Sequence, residues 1–250
     1  MAIISLQPTE ATAALKSPLV VVMPIYNEAA NIAQVLQEWF DVFGKLGLTF
    51  QFLLVNDGSK DNTLEILKQL EAKWPEQLVV IDKPNSGHGR SCRLGYDAAV
   101  SSPHVEWVLQ IDSDGQCDPA YFQEFWSQRE VSDCVFGQRV HRDDGAARAL
   151  TSKFCKFGAT RLGGRDLVDP NVPYRLIRRD TLAAALKRIP AGFDIHNVAL
   201  TFILKQTDGI RWKYIPIRFR DRQGGSNSIN LLNVAHLGVS MLFDLAKLRK

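Results

Sequence analysis

The 250-residue sequence is poor in the features that mark secreted, membrane-spanning and zinc-binding proteins. No run of about 18 uncharged apolar residues occurs, so no transmembrane helix is predicted. The first 16 residues hold one lysine and no long apolar core, which is not typical of a signal peptide. The widely spaced cysteines form no Cys-x-x-Cys pair, which predicts reduced thiols in a reducing compartment. These cysteines are Cys92, Cys117, Cys134 and Cys155.

Charge is unevenly distributed along the chain, although the net charge is only +3. Residues 139–222 hold 18 Lys and Arg against 8 Asp and Glu, whereas the remainder holds 12 against 19. A basic segment beside an acidic one indicates an anionic ligand or an anionic surface, and a solvated basic face is the alternative. The length and the 46% apolar content fit one large domain, or one domain with an extension.

Apolar runs and helical periodicity alternate through the first half of the chain. The compact apolar runs are typical of strands buried on both faces. They lie at 19–23, 50–55, 78–81 and 107–111. Each leads through a polar loop into a predicted helix, so the pattern predicts an α/β fold with a mainly parallel sheet flanked by helices. The less regular second half predicts strands at 133–137, 174–177 and 211–220 and helices at 146–162 and 193–206.

The two ends of the chain differ from this pattern. Residues 1–17 are predicted to form a tail or a short surface helix. Residues 229–250 predict a C-terminal amphipathic helix with a broad apolar face and a cationic end. Such a helix either packs on the domain or lies in the interface of a membrane.

The segment at 112–116, Asp-Ser-Asp-Gly-Gln, is the first candidate site, because two carboxylates directly follow a predicted buried strand. A polar turn is the simplest explanation, since turns favour Asp, Ser and Gly. However, Tyr26 and Glu28 follow one predicted strand and Asp57 follows another. Ligands of parallel sheets bind at the carboxyl ends of the strands. Since Mg²⁺ binds one or two carboxylates together with substrate phosphates, the hypothesis is a metal–diphosphate site.

These segments resemble the ordered motifs of the family 2 inverting glycosyltransferases, which have the GT-A fold with a Rossmann-like, mainly parallel sheet. The motifs are Val-Met-Pro-Ile-Tyr-Asn-Glu at 22–28, Val-Asn-Asp-Gly-Ser at 55–59, Asp-Ser-Asp-Gly-Gln at 112–116 and Pro119. The loop Asn-Ser-Gly-His-Gly-Arg at 85–90 resembles the Asn-x-Gly-x-Gly loop that lies near the diphosphate in this family. By itself, His88 is interpreted as a structural residue.

Downstream segments resemble the dolichol-phosphate mannose synthase branch and its bacterial polyprenyl-phosphate relatives. They are Phe-Gly-Gln-Arg at 136–139, Asp-Pro at 169–170, Tyr-Arg at 174–175, Ile-Pro-Ile at 215–217 and Arg-Gln-Gly-Gly-Ser at 222–226. Asn-Val-Pro at 171–173 replaces the branch's Thr-Ser-Gly, and Asn227 replaces its lysine. The resemblance divides a glycosyltransferase domain at 18–228 into a donor half, 18–138, and an acceptor half, 139–228.

The resemblance implies an enzyme that moves a sugar from a nucleoside diphosphate sugar. In this role, Asp112 and Asp114 would hold Mg²⁺ or Mn²⁺, which stabilises the leaving diphosphate as a Lewis acid. Gln116 would add a neutral contact to metal, sugar or acceptor. The implied donor-binding residues are Pro24, Tyr26, Glu28, Asp57 and Asp112, and the implied catalytic residues are Asp114, Gln116 and Arg139.

A phosphate acceptor fits the basic half of the chain. A phosphate monoester is already anionic at neutral pH, so it needs cations to position it and no general base. Arginine suits this task because its fork binds two oxygens at once. The candidate contacts are Arg139, Arg148, Ser152, Lys153 and Arg222. Together with the basic half, the resemblance implies a polyprenyl phosphate acceptor at the cytoplasmic face of a membrane, with a membrane-protein partner possible and no nucleic acid.

Three alternatives stay open at this point. The same fold can act on a hydroxyl of a glycan or glycolipid, which would require a general base. A processive enzyme of that kind carries Gln-x-x-Arg-Trp, whereas Gln206 lies five residues before Arg211 here. The chain can also be a non-catalytic sugar-nucleotide binding module, although the Asp112 and Asp114 pair argues against this. A nucleotidyltransferase is disfavoured because residues 24–31 hold no glycine, lysine or arginine.

Overall fold

The computed structural model describes residues 8–140, 167–190, 193 and 196–221. Its strands are β1 Leu19–Ile25, β2 Phe50–Asp57, β3 Leu78–Lys83, β4 Trp107–Ile111, β5 Cys134–Arg139, β6 Tyr174–Arg178 and β7 Trp212–Ile217. Its helices are α1 Pro8–Ala14, α2 Ile32–Lys45, α3 Thr63–Lys73, α4 His88–Ser101, α5 Phe122–Ser127, α6 Arg179–Leu186 and α7 His196–Lys205. Short 3₁₀ turns at Pro119–Tyr121 and Gln128–Glu130 flank α5.

The strands form one seven-stranded sheet in the order β3-β2-β1-β4-β6-β5-β7. Strands β1 to β4 pair in parallel, and β7 pairs in parallel with β5. Strand β6 is antiparallel to both of its neighbours, β4 and β5. Because β1, β2 and β4 run in the same direction, their carboxyl ends and the loops that follow them meet at one edge. The prediction of a mainly parallel α/β sheet is confirmed.

The sheet is covered closely on the side of α4. Every residue of β1 and β4 is buried, as expected for parallel strands covered on both faces. Gly95 of α4 lies against Val22 of β1, and a Cβ atom at Gly95 would lie 2.4 Å from Val22 Cγ1. The missing side chain therefore allows α4 to approach the centre of the sheet. This approach places the first residue of α4, His88, at the carboxyl edge.

Aromatic side chains fill the opposite layer of the core. Trp39 and Phe43 of α2 contact each other at a ring separation of 5.4 Å. Phe43 also contacts Phe122 of α5 at 4.7 Å, and Trp39 contacts Tyr174 of β6 at 5.7 Å. Edge-to-face and tilted aromatic pairs add specific geometry to the apolar area that they bury. The donor-half helix α2 is therefore packed against elements on both sides of residue 138.

Part of the predicted tail is a packed helix. Ala11 and Leu15 are fully buried, and Ser102 Oγ donates to the Leu15 carbonyl over 2.7 Å. Buried Gln51 of β2 accepts hydrogen bonds from the backbone amides of Lys16 and Ser17. Residues 8–17 are thus tied to the sheet.

The remaining differences concern element limits and coverage. Helix α7, described over His196–Lys205, lies within the predicted range of 193–206. The periodicity predicts no helix at α6, because its alanine-rich sequence has weak apolar contrast. The predicted helix at 146–162, the loop at 222–226 and the C-terminal amphipathic helix lie outside the described residues. Within the described part of the chain, no helix is long and apolar enough to cross a membrane.

We expect Gly95→Val to destabilise the fold by about 1–3 kcal/mol, because the new side chain would overlap Val22 in a packed core. Gly44→Ala in α2 is the matched control. A Cβ atom there meets nothing within 4 Å, so this substitution should stabilise the helix by about 0.5–1 kcal/mol. Urea unfolding followed by circular dichroism measures both changes. Equal stability of the two variants would contradict the close packing of α4 on β1.

Candidate active site

A cleft of about 320 Å³ lies at the carboxyl edge of the sheet, over the ends of β1, β2 and β4 and the start of α4. This is the edge at which ligands bind in open parallel sheets. The cleft is lined by Pro24, Ile25, Tyr26, Glu28, Asp57, Asn85, Gly87, His88, Ser91, Asp112, Ser113 and Asp114. All of the predicted donor-binding residues therefore lie together.

The loop after β1 is held to the loop after β2. Asn27 has a left-handed backbone with a φ of 55°, a conformation that Asn tolerates better than most residues. The Asn27 backbone amide donates to Ser59 Oγ over 3.0 Å, and its side-chain oxygen accepts from the Lys60 backbone amide over 2.7 Å. The Glu28 amide donates to Thr63 Oγ1 over 2.9 Å. These bonds fix the loop in the absence of any ligand contact.

Asp57 organises the cleft wall. Its carboxylate is buried and forms an ion pair with Lys83 Nζ. It also accepts hydrogen bonds from the backbone amides of Ser86 and Gly87 over 2.8 and 2.9 Å. The glycine loop before α4 is therefore shaped around Asp57. Asp57 lies in the predicted place, but its oxygens already have partners within the protein.

Gly58 allows the β2 loop and the glycine loop to touch. Its φ is +63°, and a Cβ atom would lie 2.7 Å from the backbone nitrogen of Asn85. The Asn85 side chain donates to the Asp57 carbonyl over 2.8 Å. Both the backbone conformation and the space therefore require glycine here.

Asp112 and Asp114 lie at the end of β4, each partly exposed to the cleft. Asp112 Oδ1 accepts a hydrogen bond from Gln110 Nε2 over 3.1 Å and lies 2.9 Å from His88 Nε2. Asp114 Oδ1 accepts a hydrogen bond from the Gln116 backbone amide over 3.1 Å. Both carboxylates are thus oriented by neighbouring donors, which lowers the cost of keeping two like charges close together.

His88, which the sequence analysis interpreted as a structural residue, lines the cleft. Its side chain is 52% exposed, and it contacts the predicted metal ligand Asp112. Cys92, with Sγ 3.8 Å from Nδ1, and the Asp112 carboxylate together raise the pKa of His88 well above its usual value. The available signal was its place: it follows the glycine loop at the start of a helix, and such positions point toward the carboxyl edge.

The two carboxylates fit a cation that a substrate helps to bind. Among the described residues, no group of three or more His, Cys, Asp or Glu side chains is arranged to hold a metal ion. Mg²⁺ characteristically uses one or two carboxylates, keeps several waters and completes its shell with substrate phosphates. Asp112 and Asp114 match that donor set, whereas a closed zinc site needs four protein ligands.

The ring of Tyr26 is available at the mouth of the cleft. Tyr26 is 39% exposed, while its neighbours Pro24 and Glu28 are buried. Asn31 Nδ2 donates to a Glu28 carboxylate oxygen over 3.4 Å. Tyr26 is therefore placed to pack on a flat ligand group, and Pro24 shapes the strand end beneath it.

Arg139 is held by a carboxylate of the protein. Its Nε and Nη2 atoms donate to the two oxygens of Asp169 over 2.6 and 2.5 Å, a bidentate pair. The guanidinium also lies over the Phe219 ring at 5.4 Å. This arrangement occupies the fork that was predicted to bind phosphate. The other predicted phosphate contacts, Arg148, Ser152, Lys153 and Arg222, lie outside the described residues.

Gln116 is fixed from the acceptor half. Its carbonyl accepts from the Arg220 amide over 3.1 Å, and its side chain donates to the Arg220 carbonyl over 3.4 Å. The Arg220 guanidinium bridges Glu38 of α2 and Asp118. Burial lowers the pKa of Arg220, but the bonds to Asp118 and Glu38 outweigh burial and raise it. Arg220 therefore binds the turn after Asp114 to both halves of the domain.

The fold is shared with solved structures of other proteins. The structure aligns with glucosyl-3-phosphoglycerate synthase from Mycobacterium tuberculosis, solved with Mn²⁺, UDP-glucose and phosphoglyceric acid. The TM-score is 0.61 at 18% identity, over 98% of this chain and 84% of that one. Mannosyl-3-phosphoglycerate synthase from Rubrobacter xylanophilus aligns with a TM-score of 0.59 at 15% identity, over 96% and 77%. The predicted GT-A fold is confirmed.

The chain belongs to the family described as glycosyl transferase family 2, whose model matches residues 20–185. It is 26% identical over 230 residues to the undecaprenyl-phosphate 4-deoxy-4-formamido-L-arabinose transferase of Pectobacterium atrosepticum. That match covers 90% of this chain and 65% of the relative. The same-named protein of Photorhabdus laumondii is 25% identical, over 90% and 66%. The chain thus spans about two thirds of the length of these curated relatives.

We expect Gly58→Ala to weaken nucleoside diphosphate binding by about fivefold or more, which corresponds to a loss of ~1 kcal/mol of binding free energy. The new Cβ atom would overlap the backbone of Asn85, so the loop at 83–87 would have to move. Gly47→Ala is the matched control. Gly47 has the same φ of +63°, but a Cβ atom there meets nothing within 4 Å. Both variants should lose about 1–2 kcal/mol of stability from the left-handed backbone. Calorimetric titration with UDP and GDP separates them, and equal affinities would contradict the loop contact.

Proposed function

We propose that this protein transfers a sugar, with inversion, from a nucleoside diphosphate sugar to a polyprenyl phosphate. The observation that carries the proposal is the cleft, in which Asp112 and Asp114 face the tied loops of β1 and β2. The names of the relatives, which are undecaprenyl-phosphate sugar transferases, support the acceptor class. The basic composition of residues 139–222 supports an anionic acceptor.

On this proposal, the donor lies across the carboxyl edge. The nucleobase packs on Tyr26, and the wall formed by Asp57, Lys83 and the glycine loop bounds the nucleoside. The diphosphate lies toward Asp112, Asp114 and the start of α4, where backbone amides at a helix N-terminus favour anions. Mg²⁺ or Mn²⁺ at the two aspartates would neutralise charge that develops on the leaving diphosphate.

The acceptor would attack from the side of Gln116 and Arg139. A phosphate monoester brings its own negative oxygen, so the protein has to orient it and need not remove a proton. Two of the cleft carboxylates are engaged by other residues, as expected if neither has to act as a general base. Asp57 pairs with Lys83, and Glu28 is buried against Asn31. Gln116, held by Arg220, is neutral and can contact the acceptor without repelling it.

We also propose that the protein works at the cytoplasmic face of a membrane. A polyprenyl phosphate is confined to the bilayer, so the enzyme must reach the surface where the phosphate group is exposed. The amphipathic pattern of residues 229–250 supports peripheral attachment. Binding to a membrane-protein partner would be a second means of attachment.

Metal binding should depend on the nucleotide. The protein supplies two carboxylates, and the phosphates complete the shell, so we expect Mn²⁺ to bind at least about tenfold more tightly with UDP or GDP present. Electron paramagnetic resonance of unbound Mn²⁺ measures the change. Asp112→Asn should remove the nucleotide-dependent part. Tight binding of Mn²⁺ without nucleotide, unaffected by Asp112→Asn, would place the metal elsewhere.

The reaction is tested with a panel of UDP- and GDP-sugars, Mn²⁺ or Mg²⁺ and a short polyprenyl phosphate. We expect a metal-dependent lipid-linked sugar with inverted anomeric configuration. Asp114→Asn should reduce transfer by about a hundredfold or more, since Lewis-acid stabilisation amounts to several kcal/mol. Asp97→Asn, which alters an exposed carboxylate paired with Arg93, should leave transfer unchanged. Transfer to a glycan hydroxyl, without any lipid-linked product, would refute the proposed acceptor.

A further inference from the structure

We propose that Gln110 and Asn197 are positioning residues for the metal carboxylate of Asp112, and that they connect it to the acceptor half of the chain. Neither residue lines the cleft, and neither belongs to a motif singled out in the sequence. The inference rests on the proposed metal site at Asp112. It assigns a role to a buried polar pair beneath that site.

The first contact fixes one oxygen of Asp112. Gln110 is fully buried on β4, and its Nε2 atom lies 3.1 Å from Asp112 Oδ1. An ionised carboxylate can only accept hydrogen bonds, so the NH₂ group of Gln110 must face it. This requirement determines which end of the amide is nitrogen. Gln110 therefore restrains Oδ1 from behind, on the side away from solvent.

The second contact fixes Gln110. With its nitrogen directed at Asp112, the Gln110 oxygen points the other way and accepts from Asn197 Nδ2 over 3.2 Å. Asn197 lies on α7 and is 4% exposed. The charge of Asp112 thus sets the orientation of both amides in turn. Two side chains that are 87 residues apart in sequence form one directed chain of hydrogen bonds.

The pair has a cost that an apolar pair would avoid. The Asn197 Oδ1 atom is buried and has no hydrogen-bond partner among the described residues. A buried polar atom without a partner opposes folding, whereas an apolar side chain of similar size would not. Polar groups that persist despite such a cost are expected at functional sites. This favours a role in orienting Asp112 over a purely structural one.

The third contact continues through the acceptor half, to which Asn197 itself belongs. The Asn197 carbonyl accepts from Nη1 of Arg175 over 2.8 Å. Arg175 is fully buried, and its other nitrogens donate to the carbonyls of Val172 and Pro170 over 2.6 and 2.7 Å. The residue before Pro170 is Asp169, which holds Arg139. Continuous contacts therefore run from Asp112 to Arg139 through the buried guanidinium.

The expected effect follows from metal chemistry. Groups that hydrogen-bond a metal ligand orient it, and their loss typically weakens metal binding 10- to 100-fold. Gln110→Met keeps the length of the side chain but removes its hydrogen bonds. We expect it to weaken nucleotide-dependent Mn²⁺ binding about 10- to 100-fold. Asn197→Leu should weaken it less, because Gln110 still contacts Asp112.

The matched control is Gln51→Met. Gln51 is another buried glutamine on a parallel strand of the same sheet, β2, but its side chain binds the backbone of Ala14, Lys16 and Ser17. Losing these bonds should lower stability and leave Mn²⁺ affinity unchanged. Thermal unfolding and Mn²⁺ titration by electron paramagnetic resonance, with UDP or GDP present, separate stability from metal binding.

The double variant Gln110→Met/Asn197→Leu tests the direction of the effect. If Asn197 acts through Gln110, the second substitution should add no further loss of Mn²⁺ affinity, so the two losses are not additive. Asn197→Leu alone supplies the test if Gln110→Met does not fold. Independent, additive losses would overturn the proposed chain of contacts. Unchanged Mn²⁺ affinity in folded Gln110→Met or Asn197→Leu would overturn the positioning role of the altered residue.

These outcomes are distinct from failure of the proposed function. A wild-type protein that binds Mn²⁺ with nucleotide but transfers no sugar to polyprenyl phosphate would refute the acceptor and leave this inference standing. A wild-type protein that binds no Mn²⁺ under these conditions would refute the metal assignment and this inference together.

Discussion

The parallel pairing of β1 with both β2 and β4 is the constraint on which the site depends. It brings three strand ends, which are far apart in sequence, to one edge of the sheet. The close approach of α4 at Gly95 then sets the start of that helix beside Asp112. Without this register, the acidic turns would be separate surface loops. Because β1 is fully buried, a slip in its pairing would displace the whole apolar core, so the site geometry is protected by core packing.

Part of the negative charge at this edge of the sheet is compensated by other groups of the protein. Asp57 is neutralised by Lys83 and by two backbone amides, and it shapes the glycine loop in return. Asp112 and Asp114 are oriented by donors but keep part of their surface in the cleft. The cleft therefore combines a wall in which Asp57 is paired with Lys83 and two carboxylates that are partly exposed to the cleft. Asp57, the last residue of β2, is buried and paired with a lysine, whereas Asp112 and Asp114 keep part of their surface in the cleft.

Sequence reasoning predicted the sheet and the cleft because both depend on local patterns. Apolar runs followed by acidic turns are visible in one dimension, and parallel topology then places them together. Hydrogen-bond partners do not follow from such patterns. Nothing local in the sequence pairs Arg139 with Asp169, or Gln110 with Asn197, since these contacts join residues 30 and 87 positions apart. Asp57 was predicted as a donor contact from its motif and its place after a strand, and the sequence does not show that Lys83, on another strand, is its partner.

For the same reason, counting charges in the sequence did not show which arginines of the acceptor half are already engaged by other groups of the protein. Within the described part of that half, Arg175 is buried among carbonyls, Arg220 bridges two carboxylates, and Arg139 is held by Asp169. A phosphate at Arg139 would therefore compete with Asp169 or share the guanidinium with it. Arg175 donates to the Pro170 carbonyl and so holds the loop that carries Asp169. Arg175 also donates to the carbonyl of Asn197, which lies beneath Asp112. If the proposed acceptor displaces Asp169, it acts on the same residues that orient Asp112, the proposed metal ligand, so donor and acceptor binding are expected to be linked.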